Sequence, residues 1–412
     1  MESKENKSLA YLVGFIAGVA LTGLLAAGCF WVYRVQGVFS IFEGKDKEQT
    51  ATNETALTDD TVNKMKTIEQ AIDTYYYQTD IDRNAEAVSI YKGIVSSLDD
   101  PYSEYYTQEE YKDLMADTQG VYFGIGAYVS MDKTLNLPRI TGTIEGSPAS
   151  TAGFVANDII YEVDGENIQG LTLTEVVGRI RGEIGTTVLI KVYRESLGDY
   201  VEIEVARDRV ESPTVHTTMM ENQIGYLGIT EFDSVTPQQF MDGMQELRDQ
   251  DMKALILDLR SNPGGSLSAV CDIARQLLPS GDIVYTVDRD GNREDYTCDG
   301  ANEIDIPLVV LVNGYSASAS EILSGSIKDY GKGTIVGETT YGKGVVQRIF
   351  PFEDGTAVKL TISNYFTPNG NNINGVGIEP DVEIALDTEA FAKDGTDNQV
   401  NKAVEILNEK LK

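Results

Sequence analysis

From Ile224 onward the chain alternates short apolar runs with helical stretches, and this alternation constrains its fold more than any other feature. Ile224 to Thr230, Ala254 to Leu259, Leu308 to Val312 and Thr334 to Val336 read as strands, separated by helical stretches at 236–250, 267–278 and 318–329. Strand and helix in alternation build layered α/β structure. Ala357 to Tyr365 adds an alternating strand, and residues 388–412 read as a terminal helix.

The texture upstream is different. Residues 119–208 carry short β-type runs broken by glycine, at Val121 to Gly126, Arg139 to Thr141, Asp158 to Val163 and Thr187 to Val192, with one helix from Leu173 to Ile180. Residues 56–118 read as helical, without chemistry of their own: Val62, Met65, Ile68, Ile72 and Tyr75 fall at helical spacing, as do Val88, Tyr91, Ile94, Val95 and Leu98. Thr107 and Glu110 have the spacing of a capping box for a third helix.

Leu9 to Tyr33 is an apolar run of 25 residues. As a helix it would be about 37 Å long, enough to span a bilayer with some tilt. It exceeds the apolar core of a signal peptide and no small-x-small cleavage site follows it, so a single-pass membrane anchor is expected. Residues 1–8 are then a short tail and 34–55 a polar tether. Lysines and arginines flank both ends and leave the orientation open.

Composition removes several functions. With 33 Lys and Arg against 65 Asp and Glu, the formal charge is −32. Such a surface repels phosphate backbones, and no nucleic acid partner is expected. His216 is the single histidine and the three cysteines are scattered, so no metal or cofactor is expected. Cys271 and Cys298 either pair in an oxidising compartment or remain buried thiols.

Three stretches of the α/β part carry chemistry. The strand Leu255 to Leu259 runs into Arg260-Ser261-Asn262-Pro263-Gly264-Gly265, where unhindered amides can face a ligand oxygen. Asn313-Gly314-Tyr315-Ser316-Ala317-Ser318-Ala319-Ser320-Glu321 follows a strand and offers an exposed hydroxyl as nucleophile. Gly342-Lys343-Gly344-Val345-Val346-Gln347 supplies an amine that can act as its base, with His216 as the alternative. At an ordinary lysine pKa near 10.4 only about one amine in 2,500 is neutral at pH 7, so burial must supply about 4 kcal/mol to free it.

Ser316-Ala317-Ser318-Ala319-Ser320-Glu321, Lys343-Gly344-Val345-Val346-Gln347, Tyr365-Phe366-Thr367-Pro368-Asn369-Gly370, Gly377-Ile378-Glu379-Pro380-Asp381 and Asp100-Pro101-Tyr102-Ser103 together resemble the carboxyl-terminal processing peptidases, or tail-specific proteases. The resemblance implies an α+β multidomain chain: transmembrane helix, helical region at 56–118, PDZ-like β-rich domain at 119–208, α/β crotonase-like Ser-Lys peptidase core at 209–387 and C-terminal helix at 388–412. It implies a serine endopeptidase with Ser318 as nucleophile, Lys343 as base and Gln347 positioning Lys343. Backbone amides of Gly265 and Ala319 form the implied oxyanion hole. In the PDZ-like domain, Tyr122-Phe123-Gly124-Ile125-Gly126 would hold a peptide carboxylate, Phe123 and Ile125 would line the pocket for the last side chain, and Arg181 could couple to the peptidase.

The implied partners are protein or peptide C-termini as substrate and, through the first helix, the cell membrane, with the catalytic part extracytoplasmic; a homo-oligomer is left open. Two rival readings are a catalytically silent PDZ scaffold and an acyl-CoA enzyme of the crotonase type. The Ser-Lys pairing has no purpose in either.

Overall fold

The computed structural model of the protein describes residues 55–412. The expected tail at 1–8, the anchor at 9–33 with Cys29, and all but the last residue of the tether lie outside the described residues. Among those described, no helix is long and apolar enough to cross a membrane. The chain divides into two compact units between Ile81 and Asp82. In the first, the helix Asp59–Tyr75 begins at Thr58, whose hydroxyl accepts the Thr61 N–H at 3.2 Å.

The second unit opens with the helices Arg83–Ser96 and Gln108–Gln119. Thr107 and Glu110 form the capping box their spacing predicts, and the left-handed Gly120 ends the helix. Between the two helices lies a strand the sequence did not announce, Glu104–Tyr106.

A β-rich domain follows. Its antiparallel sheet runs in the order Ala127–Asp132, Leu137–Thr143, Ile159–Val163, Thr187–Arg194, Asp199–Ala206. The helix Leu173–Ile180 turns Val176 and Ile180 into a core with Ile140, Ile160, Ile190 and Val192. The chain enters through Val121–Gly124 and leaves through Asp208–Glu211, and these two strands pair with each other rather than with the sheet.

The α/β part holds a six-stranded sheet in the order Val215–Met219, Ile224–Ile229, Ala254–Asp258, Leu308–Val312, Thr334–Gly337, Val382–Glu383. The first pair is antiparallel and the others parallel. Ala254–Asp258 and Leu308–Val312 are buried throughout, as central parallel strands covered on both faces must be. One face packs Phe240, Val270, Ile273, Leu323 and Ile327 from the helices Thr236–Asp249, Leu267–Ala274 and Ala319–Asp329. Residues 388–412 form two helices, Thr388–Asp394 and Asn398–Lys410, and the second seals the other face with Ala403 and Leu407. The second helix is thus part of the core.

A second sheet assembles distant segments. Ala357–Phe366 pairs with Glu104–Tyr106, Gly281–Asp288 and Val345–Pro351, and Gly281–Asp288 continues to Arg293–Cys298. Because consecutive parallel strands require crossovers, the loops at their carboxyl ends gather on one edge, where an open α/β sheet builds its site.

Where the β-rich domain joins the α/β part, Asp233 is buried near Glu231 and Asp117. Burial above all, then these two charges, push its carboxyl up to about 7. A raised acid pKa means the folded state holds the proton more tightly. The associated stability is present in full below the ordinary carboxyl range and is lost as pH rises through about 7. Asp233→Asn should therefore flatten the pH dependence and be the more stable protein above neutrality. Urea midpoints of both proteins at about pH 5 and pH 8 check this, and equal pH slopes would contradict it.

Candidate active site

Strand Leu308–Val312 delivers the loop Asn313–Ala317 to that edge, and helix Ala319–Asp329 carries the chain away. Three serines lie in this turn, and hydrogen bonding separates them. Ser316 Oγ donates to Leu259 O at 2.8 Å and Ser320 Oγ to Asn262 O at 3.0 Å, both fully buried. The Ser318 hydroxyl donates to no protein group among the described residues and is half-exposed. Ser318 also sits at φ +52°, ψ −111°, outside every comfortable region for a side-chain-bearing residue. Strain of this kind costs about 1–3 kcal/mol and persists only where surrounding contacts enforce it.

Those contacts converge on Glu321, three residues on and fully buried. Its Oε2 accepts the Ser318 N–H at 2.8 Å and the Lys343 N–H at 2.9 Å. Its Oε1 accepts the Gly342 N–H at 2.7 Å and the Thr340 hydroxyl at 2.6 Å. From the other side the buried Tyr365 hydroxyl reaches Lys343 O at 2.6 Å and Ser318 O at 3.1 Å. The serine and lysine loops are thus clasped backbone to backbone. Gly344 lets the lysine loop lie against its neighbour, since a Cβ there would meet Asn374 N at 2.5 Å. Glu321 and Tyr365 were quoted among the sequence motifs but given no role; the spacing Ser318-x-x-Glu321, that of a capping box, was the available signal.

The Lys343 amine stands over the Tyr102 ring, 4.7 Å from its centroid. Burial first, then the Lys359 ammonium, lower its pKa, against the opposing pull of Glu321 and Asp100. No hydrogen bond joins it to Ser318 Oγ or to Gln347 among the described residues. Gln347 instead donates from Nε2 to Thr361 Oγ1 at 3.1 Å. Asp100 and Tyr102 correct the reading of residues 56–118 as chemically silent, because the Asp100–Ser103 turn lies against the lysine.

The glycine turn approaches from the third side. Asn262, fully buried, donates to Ile229 O at 2.9 Å, accepts the Gly264 N–H at 2.8 Å, and accepts the Ala317 N–H at its backbone O at 3.0 Å. At Gly264, φ +106°, a Cβ would meet Ser318 Cβ at 2.8 Å. The N–H groups of Gly265 and Ala319 have no acceptor among the described residues. His216 is exposed on the edge strand Val215–Met219, three strands from Leu308–Val312, or about 14 Å at usual spacing. It is too far to serve as a base for Ser318. Cys271 and Cys298 are both free and buried.

In the β-rich domain a groove of about 340 Å³ lies between the edge strand Ala127–Asp132 and helix Leu173–Ile180. Tyr122, Gly124, Ile125 and Gly126 line it, with Val177 and Ile180 opposite. The Ile125 and Gly126 N–H groups have no acceptor among the described residues. Phe123 does not line it: alternation along Val121–Gly124 turns its ring outward, 48% exposed, toward Lys112 and Gly182. Arg181 lies over the Tyr122 ring, 5.2 Å from its centroid, with Asp113 at 3.6 Å.

Comparison with known proteins connects these two sites. Residues 223–384 match peptidase family S41, and residues 139–194 match the PDZ domain. A carboxyl-terminal-processing protease of Picosynechococcus sp. is 35% identical, across 78% of this chain and 79% of that protein. The chain belongs to the carboxyl-terminal-processing protease family. It is a serine protease with a PDZ domain. The carboxy-terminal processing protease CtpA of Bacillus subtilis is also 35% identical, over 78% of this chain and 68% of that one. A solved photosystem II D1 C-terminal processing protease is 31% identical with a TM-score of 0.46, covering 79% of this chain and 88% of that one.

For this protease, Glu321→Gln replaces one acceptor oxygen by an NH₂ that must face N–H donors. A loss of about 2–3 kcal/mol in stability is expected, together with loss of turnover. Guanidinium unfolding of the wild-type and Glu321→Gln proteins measures the first; an unchanged midpoint would show that the clasp is unnecessary.

Proposed function

We propose that the protein is a membrane-anchored endopeptidase in which Ser318 and Lys343 form a catalytic dyad. The observation that carries the reading is the single Glu321 oxygen shared by the Ser318 and Lys343 amides, which brings side by side two residues 25 positions apart. Lys343 takes the hydroxyl proton as Ser318 Oγ attacks a peptide carbonyl, and Gln347 orients the amine. The tetrahedral oxyanion is received by the free N–H groups of Gly265 and Ala319. The leaving amine takes the proton back from Lys343, and water then hydrolyses the acyl-enzyme with the same lysine as base. To begin, the amine swings from the Tyr102 face toward Ser318, a motion that its flexible four-carbon stem permits.

The PDZ groove takes the end of a polypeptide as a strand added to Ala127–Asp132, with its terminal carboxylate on the Ile125 and Gly126 amides. The apolar run at 9–33 is the anchor, with the catalytic part outside the cytoplasm.

Ser318→Ala and Lys343→Ala should each abolish cleavage while leaving binding of a C-terminal peptide within about twofold; wild-type turnover by either purified variant would refute the dyad. The pH profile follows from the lowered lysine pKa. Only the neutral amine is a base, so kcat/KM should rise with pH through that pKa and level off above it. Lys359→Met removes a neighbouring positive charge that favours the neutral amine, so its rising limb should move to higher pH. Initial rates on a chromogenic peptide across pH test the direction, and a limb displaced downward would contradict it.

A further inference from the structure

We infer that Asp100, acting through Thr361, sets which way the Gln347 amide faces and thereby positions the catalytic base, a role that rests on the Ser318–Lys343–Gln347 reading. The inference comes from counting protons along a chain of hydrogen bonds. The Asp100 carboxylate organises its own turn, accepting the Tyr102 N–H at 3.1 Å and the Ser103 hydroxyl at 2.5 Å. Ser103 Oγ in turn accepts the Thr361 N–H at 3.1 Å, which fixes Thr361 beside it. The Thr361 side chain lies against the same carboxylate and helps to lower its pKa, so that with Oγ1 accepting from Gln347 the hydroxyl proton has Asp100 as its acceptor.

An ionised carboxylate can only accept, so the single Thr361 proton is committed to it. Burial alone would raise the Asp100 pKa, but hydrogen bonds from Ser103, Thr361 and the Tyr102 N–H, with the Lys343 charge, bring it below the ordinary value, and it is ionised at neutral pH. Thr361 Oγ1 can then only accept from Gln347, and only the Nε2 end of the amide can donate. That is the orientation observed, at 3.1 Å. The Gln347 carbonyl oxygen is left facing the other way, with no donor among the described residues, able to receive an N–H of Lys343. Gln347 and Thr361 are directly opposed in the strand pair Val345–Pro351 with Ala357–Phe366, and the register shift between Val346 and Gln347 aims the side chain. If the amide were reversed, Gln347 would present NH₂ to an ammonium and could not hold it.

Asp100 and Thr361 are positioning residues and their substitution should act on kcat. The charges and rings facing Lys343 are Lys359 on its strand, Glu321 on the helix, and Asp100 and Tyr102 in the turn. Thr361→Val should lower kcat by about 5- to 100-fold, the loss of one charged hydrogen bond, with KM within about twofold and the pH limb unmoved. Thr361→Ser should restore kcat to within about threefold of wild type. Asp100→Asn should lower kcat similarly while moving the limb to lower pH, because a negative charge near Lys343 is gone. Steady-state kinetics across pH, on proteins whose fold is checked by their urea unfolding midpoints, supply all three readouts. Wild-type kcat in Thr361→Val, or failure of Thr361→Ser to recover, overturns the inference while leaving the dyad intact. Should Asp100→Asn not fold, the Thr361 pair decides. Turnover by a parallel Ser318→Ala control would instead remove the dyad on which it rests.

Discussion

A buried carboxylate with four donors is the interaction on which the rest of this protein's chemistry depends. Leaving Glu321 charged in the interior would be prohibitive without partners; with the N–H groups of Ser318, Gly342 and Lys343 and the Thr340 hydroxyl around it, every approach is satisfied. The same bonds make two separate loops into one object. They also enforce the positive φ at Ser318, whose strain would otherwise relax by turning the hydroxyl away. Tyr365 closes the clasp from the opposite side by reaching both carbonyls.

Around this clasp the fold distributes three tasks among three kinds of element. The parallel sheet supplies fixed points, because its fully buried central strands cannot shift without disturbing both helical layers. Glycine-rich turns supply approach: Gly264 and Gly344 bring backbone where a side chain would collide. The second sheet supplies the electrostatic setting of Lys343, since Lys359 and Thr361 belong to it and the N-terminal strand Glu104–Tyr106 brings the Asp100–Ser103 turn along its edge. The lysine is therefore dried and tuned by residues that come from both ends of the described chain.

The PDZ domain hangs from two strands that pair with each other, so it and the peptidase part have separate cores joined by a narrow ribbon. Its groove is edged by the open side of an edge strand and by amides with no acceptor among the described residues, the two features that let backbone recognise backbone whatever the side chains. Much of this was legible beforehand: the glycine loop, the helix Leu173–Ile180 and the strands of the sheet follow from periodicity and turn residues. Phe123 lies outside the groove because alternation within Val121–Gly124 turns it outward, and the contact of the Gln347 amide with Thr361 on a neighbouring strand is visible only in three dimensions.

By itself the sequence determined the α/β alternation, the helix caps and the residue types available for catalysis, since propensity, capping and periodicity act between residues a few positions apart. It also offered a serine nucleophile with either Lys343 or His216 as its base. Only the tertiary structure decided which of three neighbouring hydroxyls stays unspent, that one glutamate serves both loops, and that a turn near residue 100 faces a lysine near residue 343. Those outcomes depend on strand pairings across the whole chain and on the exclusion of water they produce. Neither is encoded within any short window.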